Sequence, residues 1–213
     1  MADVVPTITV LAGTNGAGKS SVGGALLSNS ATPFYNPDAE TRALLAANPG
    51  MSLAEANAAA WRIGKECLQS AIMHRHSFNF ETTLGGETIT LLLLRAHTSG
   101  LRVRMWYCGL RSAELHVQRV QARVRRGGHD IPETKIRERY DASRRNLCTL
   151  LPALDELVLY DNSTDADPHA GNPPQPVKLL HCRDGEIMYR TASMPEWAKP
   201  IAAVALGLAS QKK

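Results

Sequence analysis

Long apolar runs are missing from this 213-residue chain. The longest, TITLLLL and IAAVALGLA, fall far short of the roughly 20 residues a membrane helix needs. Closely spaced cysteines are missing as well. Cys67, Cys108, Cys148 and Cys182 lie 34 to 41 residues apart, unlike the short spacings of zinc or redox sites. They are expected as buried or half-buried free thiols in a reducing compartment. Aromatic residues make up only 5% of the chain and hardly interleave with its basic residues, which counts against stacking on single-stranded nucleic acid. No internal repeat is evident. The opening MADVVPTITVLAG runs straight into a Gly-rich loop and has no leader-like segment. The expectation is a cytoplasmic, soluble protein with no membrane contact.

What is present is an ordinary globular composition, 44% apolar and 21% charged. The length suits a single domain over 1–213. The net charge of +4 is unevenly placed: residues 119–145 hold nine Lys/Arg against four Asp/Glu. Such a block fits nucleic acid, a membrane surface or a small polyanion.

Strand and helix patterns alternate up to about residue 160. TITVLAG is a short β-branched run that reads as a buried strand. GKSSVGGALLSN reads as a helix opening on the loop. PFYNPD is a short strand ending at Asp38, and AETRALLAAN a helix. Between Ser52 and His76, Ala60, Ile63, Gly64, Cys67, Leu68, Ala71 and Ile72 recur at helical spacing. SFNFETT is strand-like, GETITLLLLRAHTSG a helix ended by Gly100, and LRVRMWYCGL the next strand. Ser112 is the N-cap candidate for SAELHVQRVQARVRR. Asp130 and Glu133 resemble a capping box for the following helix, with Pro132 in its first turn. DELVLYDNS is a fifth strand. VKLLHCRDGEIMYR predicts a hairpin turning at Asp184–Gly185, and a last helix follows. The prediction is an α/β fold of P-loop kinase type: about five mainly parallel strands flanked by helices, with a lid-like segment at 112–150 and a C-terminal hairpin and helix at 176–213.

The most specific feature is GTNGAGKS. Gly13, Gly18, Lys19 and Ser20 match G-x-x-x-x-G-K-[ST], a pattern that arises by chance in a chain this long on the order of one per cent of the time. The loop's backbone N–H groups can turn around a polyphosphate. Lys19 can reach the β- and γ-phosphates, and Ser20 can coordinate Mg²⁺. The helix dipole behind it favours the same anion. Thr14, Asn15, Gly16, Ala17 and Ser21 complete the expected ATP contact.

The acids decide what is done with the phosphate. Glu81 and Asp161 each end a strand, and either can serve Mg²⁺. Glu81 is preferred, because ETT sets an acid and two hydroxyls at a strand's carboxyl end, where open parallel sheets place ligands. DNS at 161–163 reads as a loop touching the nucleotide base, or as a turn. Asp38 can accept a proton from a substrate hydroxyl during transfer, or simply cap a helix. Arg119, Arg123 and Arg126 share one helix face, and Arg137 and Arg139 return on the next helix. Guanidinium groups brought over the nucleotide stabilise transfer, and two such helices around a glycine hinge make a lid. The competing reading is a solvated basic face, with Arg125, Arg137, Arg144 and Arg145 as its members. His129 either touches phosphate or caps the loop.

GTNGAGKSS, NPD, FETT, RVQARVRRGGHDIPETKIRERY and DNS, in that order over about residues 7–163, resemble the zeta toxin family of P-loop kinases, in particular its short bacterial branch. The resemblance implies that Lys19 and Ser20 hold ATP and Mg²⁺, and that Asp38 is the general base. It implies that Glu81 organises Mg²⁺ or substrate and that Thr83 contacts substrate. It implies a phosphate clamp of Arg126 and Arg139, then Arg119 and Arg123, with Asn162 at the nucleotide. Zeta toxins phosphorylate UDP-N-acetylglucosamine, and an antitoxin blocks their nucleotide site. The implied acceptor is therefore that nucleotide sugar and the implied partner an antitoxin. Alternatives are another small acceptor (a nucleoside, an antibiotic hydroxyl, another nucleotide sugar) or a nucleotide-gated nucleic-acid-binding ATPase. Residues 40–76 and the segment after 176 match no motif of the family, and no LSGGQ-like segment is present, so transport-type ATP hydrolysis is not expected.

Overall fold

β-Branched and aromatic residues in short runs build one sheet, to which every strand among the described residues belongs. In the computed structural model, which describes residues 5–20, 22–23, 32–164 and 175–211, the strands are β1 (Thr7–Ala12), β2 (Phe34–Tyr35), β3 (Phe78–Thr82), β4 (Arg102–Gly109), β5 (Glu156–Asp161), β6 (Val177–Arg183) and β7 (Glu186–Arg190). Their order is β2-β3-β1-β4-β5-β6-β7. The first five are parallel, and β6 and β7 add antiparallel at the far edge. The fold is that of a P-loop kinase. The expected parallel core of five strands is there, and the hairpin continues the same sheet beyond β5. Asp184 and Gly185 take φ 49° and 76°, the left-handed pair that a two-residue hairpin turn demands.

The helices are α1 (Pro37–Ala47), α2 (Leu53–His74), α3 (Glu87–Thr98), α4 (Ala113–Arg125), α5 (Glu133–Leu150) and α6 (Lys199–Gln211). The helical residues 19, 20, 22 and 23 leave the Gly-rich loop. Ser21, most of the helix expected after it and the loop at 165–174 lie outside the described residues.

Three local details differ from expectation. Asp38 does not cap α1. Asn36 does, its Oδ1 accepting from Ala39 N–H at 3.0 Å, which leaves Asp38 in the first turn. The capping box at Asp130 and Glu133 does not form. Pro132 precedes α5 with no side-chain cap, Asp130 Oδ1 accepts from the neighbouring Ile131 N–H, and Glu133 binds Arg137. Arg126 falls just past the end of α4. At α2 the capping box between Ser52 and Glu55 is complete, which fixes where this long helix starts.

The main core lies between the sheet and the helices. Ile8, Val10, Val103, Met105, Leu157 and Leu159 from the strands meet Leu68, Leu93, Leu147 and Ile201 from the helices. Trp197 and α6 join this same core, so the C-terminal segment covers the sheet beside β4. All four cysteines are free thiols, Cys108 and Cys182 buried. Among the described residues no helix is long and apolar enough to cross a membrane.

Candidate active site

The Gly-rich loop leaves β1, which has β3 on one side and β4 on the other. Gly13 has φ 143° and Gly16 φ 81°. A Cβ on Gly13 would sit 2.2 Å from the Cys108 carbonyl oxygen, and one on Gly16 2.8 Å from that of His116. Conformation and space both require glycine at these two positions. Gly13 N–H donates to Thr82 O at 3.2 Å, and Ala17 N–H to Thr14 O at 3.0 Å. Beneath the loop, the Ala17 carbonyl accepts from Cys108 Sγ at 3.1 Å and from Asn162 Nδ2 at 2.9 Å. Burial pushes the Cys108 thiol up to about 12, so it stays protonated and keeps that bond. Asn162, expected at the nucleotide, is fully buried and braces the loop from behind. A glycine-rich turn that runs into a helix opening at Lys19 is the backbone arrangement that suits an anion.

Lys19 is 8% exposed. Its Nζ donates to Gly13 O at 2.7 Å and lies 3.4 Å from Glu81 Oε1. Asn36 Nδ2 donates to Glu81 Oε2 at 3.1 Å. Asn36 therefore does two things: it caps α1, which carries Asp38, and it orients Glu81. Strand order separates the two candidate acids. Glu81 pairs with Leu11 on the adjacent strand. Asp161 is on β5, two strands from β1, a distance of about 10 Å, and it accepts from Ser163 N–H and Oγ–H. Ser20 is exposed at the start of its helix. A hydroxyl and a carboxylate beside a phosphate cradle are the hard oxygen donors that Mg²⁺ takes.

The arginine block folds over this loop. Arg139 Nη1 donates to Asn15 Oδ1 at 2.8 Å, and Thr14 Oγ1 donates to the Arg139 carbonyl at 3.3 Å. Burial lowers the Arg139 pKa from its ordinary value, against Glu138 and Asp38. Arg123 lies across the 126–132 turn, with Nη2 donating to His129 O at 3.0 Å and Nη1 3.8 Å from Asp38 Oδ2. Arg119 donates to Thr164 O at 2.9 Å. Arg126 is exposed and does not line the cleft described below. His129 does line it, and its carbonyl fixes Arg123. The rest of the block is largely paired: Arg137 with Glu114 and Glu133, Arg144 with Asp141, Lys135 with Glu138.

His116, on the first turn of α4, was not singled out by sequence. Its Nδ1 lies 2.7 Å from Asn15 O. A carbonyl only accepts, so Nδ1 carries the hydrogen. Burial lowers the His116 pKa to about 4, against the Asn15 hydrogen bond and helped by Lys19 and Arg119. The ring is neutral at pH 7. The unfolded chain takes up the proton near the ordinary value of 6.5, so between there and about pH 4 unfolding binds a proton. This contribution to stability is complete above pH 6.5 and is lost as pH falls through 4. Urea unfolding at pH 7 and pH 4.5 should therefore show the native protein losing on the order of 2 kcal/mol more than His116→Gln. Equal losses would contradict the buried neutral ring.

Asp38, Glu81, Thr83 and Arg139 share one cleft of about 870 Å³. α2 forms another wall, with Asn57, Trp61 and Lys65. These three were missed in the sequence because helical spacing marked only the core-facing side of α2. A tryptophan on the opposite side was the available signal.

A Gly-rich loop between central strands, a buried lysine within it and arginine helices over it define a P-loop protein of kinase-like topology. The chain belongs to the zeta toxin family, whose family model matches residues 2–168. An uncharacterized protein of Haemophilus influenzae is 31% identical over 135 residues, covering 60% of this chain and 88% of that protein. Among solved structures, the complex of AvrRxo1-ORF1 and -ORF2 with ATP superposes with a TM-score of 0.64 at 18% identity, covering 94% of this chain. This chain spans 63% of that one. The PezAT toxin–antitoxin system of Streptococcus pneumoniae gives a TM-score of 0.56 at 12% identity, over 99% of this chain and 88% of that one. At these identities the likeness is one of fold.

Proposed function

We propose that the protein is an ATP-dependent kinase, one catalytic domain over 1–213, that moves the γ-phosphoryl group of ATP to a hydroxyl of a small acceptor. One observation carries the reading. Lys19 from the loop, Asp38 from α1, Glu81 from β3 and Arg123 and Arg139 from the arginine helices converge on one place. Lys19 meets Glu81, Arg123 meets Asp38, and Asp38, Glu81 and Arg139 share the cleft.

In this reading Asp38 accepts the acceptor's hydroxyl proton as the new O–P bond forms and the bond to ADP breaks. Lys19 and the loop N–H groups hold the β- and γ-phosphates. Arg139 and Arg123 meet the charge that spreads over the transferring group. Arg119 and Arg126 stand farther out on the same lid-like segment, 112–150. Ser20 and Glu81 would hold Mg²⁺, which neutralises charge between the phosphates. Thr83 faces the acceptor. Asn162 positions the loop.

UDP-N-acetylglucosamine is the acceptor that family membership favours. An antitoxin partner belongs to the same reading, since PezAT is a toxin–antitoxin system by its description. The ATPase reading that rests on nucleic-acid binding loses its motive, because ion pairs occupy much of the basic block. Mass spectrometry of an acceptor panel incubated with protein and Mg²⁺-ATP tests the proposal. One acceptor should gain one phosphoryl group. Phosphate release with no acceptor modified would argue for a plain ATPase.

A further inference from the structure

His116 lies behind the phosphate loop, 1% exposed, and does not line the cleft. It is held firmly there. Ser112 Oγ accepts from Leu115 N–H at 3.2 Å, which caps α4 and fixes its first turn. The imidazole meets the Tyr140 ring of α5 edge-on, with centroids 5.5 Å apart. Tyr140 is fixed in turn, its hydroxyl donating to Arg111 O at 3.2 Å and the Arg144 guanidinium lying 3.9 Å over its ring. The imidazole is thereby set with its Nδ1–H on the Asn15 carbonyl.

That bond decides the direction of a peptide plane. A trans peptide points its N–H opposite to its C=O, and no cis peptide bond occurs among the described residues. With the Asn15 carbonyl turned to α4, the Gly16 N–H is turned away from α4. Gly16 alone would not hold it so. Its φ is 81°, and turning the plane over takes it to a negative φ that glycine adopts as readily. The turned plane would aim the Asn15 oxygen where the N–H had pointed, and an oxygen repels phosphate. Other carbonyls of the loop are also taken: Gly13 by Lys19, Thr14 by Ala17 N–H, and Ala17 by Cys108 and Asn162. Of these bolts, His116 is the one that comes from the arginine-bearing helices. The same Asn15 carries Arg139 on its side-chain oxygen, so one loop residue ties both helices to the loop.

Resting on the reading of the loop as the ATP site, we propose that His116 is a positioning residue for phosphate binding. It locks the Asn15–Gly16 peptide with its N–H turned to the nucleotide's phosphates, and it keeps Asn15 in place beneath Arg139.

Two substitutions separate the hydrogen bond from the packing. His116→Asn keeps an N–H donor near the place of Nδ1 and loses bulk. His116→Leu keeps the bulk and loses the donor. Affinity of the full-length proteins for Mg²⁺-ADP is measured by titration calorimetry. His116→Leu should bind about tenfold more weakly or worse, as when a hydrogen bond to a charged group is lost. His116→Asn should stay within about threefold of the native protein, since the donor is kept. The reverse order would make His116 a packing residue, and equal affinities would make it idle; either overturns the proposal. Heteronuclear NMR of the native protein at pH 7 needs no variant. The His116 ring should carry its hydrogen on Nδ1, and the Gly16 amide signal should move when Mg²⁺-ADP is added. A ring with its hydrogen on Nε2, or a Gly16 amide that does not respond, overturns the proposal even where a variant fails to fold. Failure of the kinase reading looks different: Mg²⁺-ADP binds with the expected order of affinities, while no acceptor gains phosphate. A native protein that binds no Mg²⁺-ADP would bring down both.

Discussion

Lys19→Ala is expected to lower phosphoryl transfer by about 10²–10³-fold or more, the range seen when one preorganised stabilising group is removed. The reason lies in where the ammonium sits. It is almost fully buried, 2.7 Å from Gly13 O and 3.4 Å from Glu81, at the foot of the Gly-rich loop. A charge held there needs no reorganisation as the γ-phosphoryl group moves, and the low-dielectric surroundings enlarge its effect. Arginine should not rescue it, because a planar fork replaces a compact point charge. A thermal melt separates loss of the Gly13 tether from loss of chemistry, and a fluorescent ATP analogue follows nucleotide affinity. A variant that keeps a tenth of the native rate would show that the loop is not the active centre.

Asp38→Ala is expected to cut kcat by about 10²–10⁴-fold, as removal of a general base does, while nucleotide affinity stays near native. The geometry argues that the fold will survive. Asn36, not Asp38, caps α1. The Asp38–Arg123 pair is long, 3.8 Å, and its side chains are 44% and 38% exposed, so it contributes little to stability. Parallel measurement of nucleotide affinity and melting temperature checks this. If affinity, stability and transfer fall together, Asp38 is a structural residue and the proton acceptor lies elsewhere.

How far sequence reached depends on the range of the interaction concerned. The phosphate loop was legible because its chemistry is written in eight consecutive residues, and β1, β3, β4 and β5 because burial imposes short apolar runs. Glu81 and Asp161 both stand at strand ends, so local pattern could not separate them; the strand order, with β3 and not β5 beside β1, is a long-range feature. The Asp130–Glu133 pattern misled, since a capping box needs the right backbone at one position, and Pro132 occupies it. The hairpin's place in the main sheet was not legible: its pairing with β5 joins Asp161 to Val177, far apart in sequence, and no local pattern encodes that partner. Among the arginines, composition could not separate Arg139, drawn onto Asn15, from Arg126, left exposed past the helix end. Two turns of packing decide between them. The Trp61 face was hidden for a related reason. Helical periodicity reports the side turned to the core, and a ligand-facing side has no period of its own.

The most direct measurement is transfer of labelled γ-phosphate from Mg²⁺-ATP to nucleotide sugars and nucleosides by the purified protein, with Asp38→Ala alongside. The account predicts label on a small acceptor, UDP-N-acetylglucosamine first among them, and its disappearance in the variant. Label released only as free phosphate, equally with and without Asp38, would contradict it.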